Sequence, residues 1–274
     1  MLGKVMKHEF LDTGRVMIPL NLGEIGVLIL GIMIECLNFS GDMLAILKVA
    51  TILLYAFAIL ILSVISYIYL AVRFYKSMYG SESYLTHTLP VGGFAKLNGK
   101  LLVALIWTLV NAAVCVLSVI ALITVALKRA DVTVPWGEVE QMLDMMFHMS
   151  PAALAAWCVV IVIVSALYSL LMIYVSMSVG QLFQKHKIGA SVLTYVIIYV
   201  VLQVISAMTS VTKSIALFEV SDAADVIDPG FTMEYLVGDY YKDLLVMSLI
   251  MSAVCAVVFY GVTAYICNRK INLD

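Results

Sequence analysis

Residues 44–73 read LAILKVATILLYAFAILILSVISYIYLAVR, and they set the character of this chain. The only charges in this run are Lys48 and Arg73, which stand near its two ends. About 20 apolar residues in a helix already cross the ~30 Å hydrocarbon core of a bilayer. Because lipid offers the backbone no hydrogen-bond partners, such a segment has to be helical. The run therefore predicts a membrane-spanning helix that is long enough to tilt or protrude.

The rest of the chain has the same composition. Of its 274 residues, 64% are hydrophobic and 12% are charged, whereas soluble domains carry about 25% charged residues. We therefore predict an all-α integral membrane protein with six transmembrane helices. The expected spans are 16–37, 44–73, 97–127, 152–183, 189–210 and 244–267.

Lysine and arginine are divided unevenly between the two sides of these spans. With the N-terminus inside, eleven lie on the inner side: Lys4, Lys7, Arg15, Arg73, Lys76, Lys96, Lys100, Lys185, Lys187, Arg269 and Lys270. Five lie on the outer side: Lys48, Lys128, Arg129, Lys213 and Lys242. This positive-inside bias predicts that both termini are cytoplasmic.

The segments between the spans complete one transmembrane domain over 1–274. We expect an amphipathic interfacial helix that ends at Gly14, and an outer surface helix that begins after Pro135. The outer loop has two apolar stretches, 215–220 and 231–237, that favour short re-entrant helices. The expected order is interfacial helix 1–15, spans one and two 16–73, cytoplasmic loop 74–96, spans three to five 97–210, outer loop 211–243, span six 244–267 and cytoplasmic tail 268–274.

No motif indicates catalysis by the chain itself. Gly99-Lys100 is followed by Leu101, so the phosphate-binding pattern GxxxxGK[ST] is absent. His8-Glu9 lacks the second histidine of HExxH. The single cysteines, which favour packing roles, are Cys36, Cys115, Cys158, Cys255 and Cys267. We predict that the chain is not an enzyme, that it has no catalytic, cofactor-binding or metal site, and that it has no nucleic-acid partner.

Few polar residues fall within the spans, and four of them are candidates for a cargo pathway. Glu24 follows the start of the first span by about eight residues, and intramembrane acids often mark functional sites. It either lines a polar cavity or, if the span begins near Glu24, reaches the interface. Tyr168, Met172 and Ser176 on the fourth span could form an amphipathic wall, although such residues also suit helix packing.

A polar insert, GSESYLTHTLPVGGFAKLNGK, occupies residues 80–100 on the expected cytoplasmic side. Ser81 or Ser83 can cap a short helix, which Pro90 would end. Leu85, His87 and Leu89 would then face the cytosol, where a docked partner would cover the leucines. The candidate contact residues are Gly80, Glu82, Tyr84, Leu85, His87, Leu89 and Pro90.

The insert has the form E-x-x-L-x-x-x-L-P-V followed, after seven residues, by G-K. With six spans and an amphipathic N-terminus, it resembles the ABC-2 type permeases, although Gly92-Gly93 departs from the basic or polar residues that often follow Pro-Val there. The resemblance implies that this loop is a coupling helix seated in a separate ATPase subunit, which binds ATP and Mg. It also implies that the N-terminal helix braces that contact.

These observations predict the membrane subunit of an ABC exporter in the plasma membrane of a bacterium. Its expected partners are an ABC ATPase, a second permease chain that forms a homodimer, membrane lipid and an amphipathic or lipophilic cargo. Peptides of bacteriocin or toxin type, or drugs, are the favoured cargo classes. The alternative is an ion-coupled secondary transporter or channel that uses Glu24.

Overall fold

Long apolar runs satisfy their backbone hydrogen bonds internally, and the computed structural model is helical accordingly. It describes residues 2–36, 42–80, 83, 93–129, 134–147, 149–183, 186–227 and 233–269. Within these ranges seven helices follow one another: α1 Leu2–Glu35, α2 Asp42–Met78, α3 Gly93–Arg129, α4 Trp136–Phe147, α5 Pro151–Gly180, α6 Lys187–Ile227 and α7 Met233–Arg269.

Six segments of these helices are long and apolar enough to cross a membrane, which confirms the predicted six spans. They are Val5–Glu35, Ala50–Met78, Gly93–Lys128, Pro151–Gly180, Lys187–Ala216 and Tyr240–Asn268. Large apolar side chains such as Leu54 and Phe57 on α2 are exposed, as expected where lipid covers a helix. The chain is an all-helical, multi-pass membrane protein.

The helix end predicted at Gly14 is wrong. α1 runs without interruption from Leu2 to Glu35, through both Gly14 and Pro19. Gly14 serves packing, because a Cβ atom there would lie 3.2 Å from Cζ2 of Trp107 on α3. The interfacial helix and the first span are therefore one continuous helix.

The separate re-entrant helix predicted over 215–220 is wrong, because this stretch lies within α6. Of the second stretch, 231–237, the described residues 233–237 form the start of α7. α6 continues to Ile227, and α7 begins at Met233. Residues 211–227 contain no glycine or proline, so nothing in their backbone chemistry ends the helix before Pro229-Gly230. Asp222 and Asp225 of the predicted outer loop lie within the end of α6. Residues 228–232 lie outside the described ranges.

The outer helix predicted after Pro135 is confirmed as a helix. α4 covers Trp136–Phe147, and the N–H groups of Glu138 and Val139 donate to the Pro135 carbonyl at 2.9 and 3.1 Å. Proline suits this position because the first turn of a helix does not need its missing N–H.

The chain divides into two compact units. The N-terminal unit contains α1, α2 and α3, with α1 packed against both of the others. Its buried core includes Met17, Phe74, Leu97 and Trp107. Phe10 of α1 stacks on Trp107 of α3 with ring centroids 5.0 Å apart, so aromatic contact extends almost to the start of α1.

The C-terminal unit contains α4 to α7, and α5 is its central helix, in contact with α6 and α7. Ser150 begins α5 as its N-cap, since its hydroxyl accepts from the Ala153 N–H. At the other end, Gly180 allows the backbone of Ser191 to come close, because a Cβ on Gly180 would lie 2.6 Å from the Cα of Ser191. The end of α5 and the first turns of α6 therefore pack closely against each other at Gly180 and Ser191.

Candidate functional site

A cluster of opposite charges ties the three helices of the N-terminal unit together. The Glu9 carboxylate on α1 accepts from Arg73 Nε on α2 at 3.1 Å and from Lys100 Nζ on α3 at 2.9 Å. Asp12, one turn later on α1, accepts from Arg73 Nη2 at 3.1 Å. We call Glu9, Asp12, Arg73 and Lys100 the Glu9 cluster. Its members join α1 to the end of α2 and to the beginning of α3.

The Glu9 cluster brackets the polar insert. α2 ends at Met78 and α3 begins at Gly93, so Arg73 and Lys100 each stand within two turns of the segment between them. The sequence contained this signal, since opposite charges near the ends of three apolar runs invite pairing. The sequence alone gave no reason to match Glu9 with Lys100 across the intervening spans.

Two of the residues at the start of the insert are described. The Gly80 N–H donates to the Tyr75 carbonyl at 3.0 Å, and the Ser83 N–H donates to the Gly80 carbonyl, also at 3.0 Å. A Cβ atom on Gly80 would lie 2.9 Å from the Cα of Lys76, so only glycine fits this turn without a shift. The other predicted contact residues, Glu82, Tyr84, Leu85, His87, Leu89 and Pro90, lie outside the described ranges. The coupling helix therefore stays a prediction.

The most unusual side chain of the N-terminal unit is Glu24. It is 0% exposed, and neither carboxylate oxygen has a hydrogen-bond partner among the described residues. The Tyr55 hydroxyl of α2 is likewise buried without a partner in the described part of the chain. Cys115 of α3 interacts with Glu24 from the third helix. An acid thus lies at the meeting point of α1, α2 and α3.

Glu24 lies in the second half of α1, well inside the helix. At 1.5 Å per residue it is about 22 Å beyond Glu9 and about 16 Å before Glu35 along the helix axis. The apolar segment runs from Val5 to Glu35, so Glu24 lies inside it; whether its carboxylate lines a cavity or reaches the interface stays a prediction. Whether Glu24 borders a cargo pathway stays a prediction.

Further polar side chains lie around this level of the helices. Asn21, one turn before Glu24, donates to the Met17 carbonyl at 2.8 Å. Its Oδ1 accepts from Asn111 Nδ2 of α3 at 3.5 Å, and both asparagines are buried. Ser118 on α3 donates to the Cys115 carbonyl at 2.9 Å. None of these residues was among the predicted site residues, although polar side chains inside otherwise apolar runs are a signal that the sequence contains.

The other pathway candidates belong to the C-terminal unit. Met172 and Ser176 are buried in its helix packing, and the Ser176 hydroxyl donates to the Ile173 carbonyl of its own helix at 2.7 Å. Tyr168 is partly exposed and stacks on Phe259 of α7 with centroids 6.0 Å apart. Of the three, Tyr168 alone lines the groove between α6 and α7.

That groove has a volume of ≈ 200 Å³ and a mixed lining. Its hydroxyl groups are mostly bonded back to their own helices: Ser210 donates to the Ser206 carbonyl at 3.0 Å and Ser252 to the Ser248 carbonyl at 2.8 Å. With these protons engaged, the hydroxyl oxygens remain as acceptors. The full lining is Tyr168, Leu202, Ser206, Thr209, Ser210, Leu244, Met247, Ser248, Met251, Ser252 and Cys255.

No protein-family model, no curated protein and no solved structure matches this chain. Among the residues that the structure describes, no group of three histidine, cysteine, aspartate or glutamate side chains is placed to hold a metal ion.

Proposed function

We propose that this chain is the membrane subunit of an ATP-driven exporter, with ATP and Mg bound by a separate ATPase. The observation that supports it best is the Glu9 cluster beside the polar insert. A loop that transmits force to a helix bundle needs stiff attachments on both sides. Arg73 and Lys100 supply them by joining the helices that flank the insert to a third helix through Glu9.

The work in this scheme is mechanical. ATP binding closes the ATPase pair, the segment 80–92 moves with it, and α1, α2 and α3 follow because their ends are joined. Such rigid-body motion of helices around a bistable contact is a common form of switching in proteins. A second copy of the chain completes the pathway, and the complex lies in a bacterial plasma membrane with both termini in the cytoplasm.

An amphipathic or lipophilic cargo, such as a peptide or a drug, fits the C-terminal unit. The groove between α6 and α7 combines Tyr168 and the thioethers of Met247 and Met251 with several hydroxyl oxygens. Thioethers and aromatic rings adapt to irregular apolar surfaces. The hydroxyl oxygens can accept hydrogen bonds from cargo N–H groups.

The test is to co-express the chain with a candidate ABC ATPase and to measure co-purification and export. The isolated chain is expected to hydrolyse no ATP. Leu85→Asp should abolish co-purification, because burying an unpaired charge is costly and removing the leucine alone loses about 1.5–3 kcal/mol of apolar burial, which weakens binding tenfold or more.

The matched control is Leu245→Ala on α7, which replaces an exposed apolar side chain of the C-terminal unit and should leave ATPase binding unchanged. Both variants should insert into the membrane and elute as folded protein. Normal export and a full complement of ATPase with Leu85→Asp would refute the proposal.

A second candidate is ion-coupled secondary transport, which the buried, unpartnered Glu24 favours. The two candidates differ in their energy source. Export in vesicles that requires internal ATP supports the exporter, whereas transport driven by an imposed ion gradient without ATP supports the secondary transporter.

A further inference from the structure

The interior of the N-terminal unit contains an acid whose charge nothing described balances. Glu24 is fully buried, and its two carboxylate oxygens accept no hydrogen bond from a described residue. An ionised carboxylate in an apolar interior is so unfavourable that such groups are normally paired, bound to a cation or neutral. Something other than the described side chains must therefore satisfy this group.

Basic side chains on the described helices do not fill that role. Lys100 and Arg73 both bind Glu9, which is about 22 Å away along α1. The titratable groups that interact with Glu24 are Tyr55 from α2 and Cys115 from α3, and both are neutral in their common forms. No described lysine, arginine or histidine pairs with Glu24.

The neighbouring groups instead suit a small positive ion. The buried Tyr55 hydroxyl has no described partner in full hydrogen-bond geometry, so its oxygen keeps a lone pair that a ligand can use. Ser118 lies next to Tyr55 and donates its own proton to the Cys115 carbonyl, which leaves its oxygen as an acceptor. Carboxylate and hydroxyl oxygens are the ligands that hard cations prefer.

We propose that Glu24 and Tyr55 form a binding site for one small monovalent cation, H⁺ or Na⁺, in the middle of the N-terminal unit. Bound H⁺ makes the carboxyl group neutral, whereas bound Na⁺ balances its charge. The site lies near the centre of the apolar segment Val5–Glu35, where an ionisable residue marks an ion-binding position. It does not depend on the ATP-driven exporter and would operate in either transport scheme.

The test measures the apparent Tm of the purified full-length chain in detergent. In one arm, Na⁺ replaces choline at constant ionic strength and constant pH. In the other arm, pH is varied without Na⁺. A ligand that binds the folded state raises stability in proportion to the logarithm of its concentration once the site is saturated. Wild type should therefore gain stability with rising Na⁺ or with falling pH.

The variant Glu24→Gln keeps the shape of the side chain and removes its charge. The Na⁺-dependent or pH-dependent difference between wild type and Glu24→Gln is the signal, because other titrating groups are the same in both proteins. Glu138→Gln on α4, which removes an exposed carboxylate, is the matched control and should behave like wild type.

The two arms identify the ion. A difference in the Na⁺ arm assigns Na⁺, and a difference confined to the pH arm assigns H⁺. Equal behaviour of wild type and Glu24→Gln in both arms overturns the site.

Tyr55→Phe tests the same site independently, in case Glu24→Gln does not fold. It keeps the carboxylate but removes one ligand oxygen, so the Na⁺ concentration or H⁺ concentration at which Tm begins to rise should increase several-fold. A Tyr55→Phe protein whose Tm begins to rise at the wild-type concentration in both arms would equally contradict the proposal.

Discussion

Replacing Glu9 by alanine should strongly destabilise the N-terminal unit. Glu9 joins Arg73 and Lys100, and the side chains of Glu9 and Lys100 are only 12% and 6% exposed. Its loss leaves the Lys100 ammonium buried without its carboxylate. Arg73 suffers less, because Asp12 still accepts from it at 3.1 Å.

The size of the effect follows from this burial. Removing one partner of a buried ion pair costs about 3–5 kcal/mol. Because Glu9 is slightly exposed, we expect the lower end, about 3 kcal/mol. At about 2–4 °C per kcal/mol, this corresponds to a decrease in Tm of about 6–12 °C. Asp12→Ala is the matched control, since its side chain is 48% exposed and surface pairs contribute about 0–1 kcal/mol.

Thermal unfolding of the purified chain in detergent provides the measurement, and a second substitution isolates the cause. The double variant Glu9→Ala with Lys100→Met has no unpaired buried ammonium, and replacing a whole buried ion pair by apolar residues often leaves stability unchanged. The double variant should therefore recover most of the lost stability. A buried, stabilising ion pair is refuted if Glu9→Ala lowers Tm no more than Asp12→Ala does, or if adding Lys100→Met to Glu9→Ala restores none of the lost stability.

Two further substitutions test packing in each unit by the same unfolding measurement. Gly180→Ala should destabilise the C-terminal unit by about 1–3 kcal/mol, the usual cost of overpacking, because the new Cβ would lie 2.6 Å from the Ser191 Cα. Gly26→Ala is the control: its Cβ would have nothing within 4 Å, so the change should be neutral or slightly stabilising. Trp107→Ala should lower the free energy of unfolding by about 3–5 kcal/mol, because it removes a buried ring that stacks on Phe10. An unchanged Tm for either Gly180→Ala or Trp107→Ala would contradict the described contacts.

The sequence predicted the spans well because hydrophobic length is a strong and local signal. Residues 44–73 need no knowledge of their neighbours to be identified as membrane-spanning. The helix ends were harder to place. Gly14 looked like a stop, but the space that it leaves is used by Trp107, which lies 93 positions later in the sequence and reaches it only after folding.

The candidate site shows the same limit. Glu24 could be selected from the sequence because an acid among apolar residues is rare and costly. Its neighbours could not, since Tyr55 and Cys115 meet it only through the packing of α1 on α2 and α3. The loop predicted over 211–243 failed for a different reason. Acidic residues are compatible with a helix, and residues 211–227 contain neither glycine nor proline that would end one.

The continuity of α1 changes how the insert and the buried acid are related. With a break at Gly14, a brace at Glu9 and an acid at Glu24 would belong to separate helices. On one helix they are 15 residues apart, or about 60° around the axis at about 100° per residue, so both face the side packed on α2 and α3. A movement of the helix ends at Arg73 and Lys100 would then act on the surroundings of Glu24.

Pro19 stands between these two positions. It has no N–H to donate to the Arg15 carbonyl, so α1 lacks one main-chain hydrogen bond there. No other residue between Glu9 and Glu24 removes a backbone donor. The helix is therefore stiff from the Glu9 cluster to Pro19 and from Pro19 to Glu24, and the proline is the point at which it can bend. In the proposed mechanism, a motion imposed on the insert would reach Glu24 through this joint, so the proposed cation site would respond to movement of the loop.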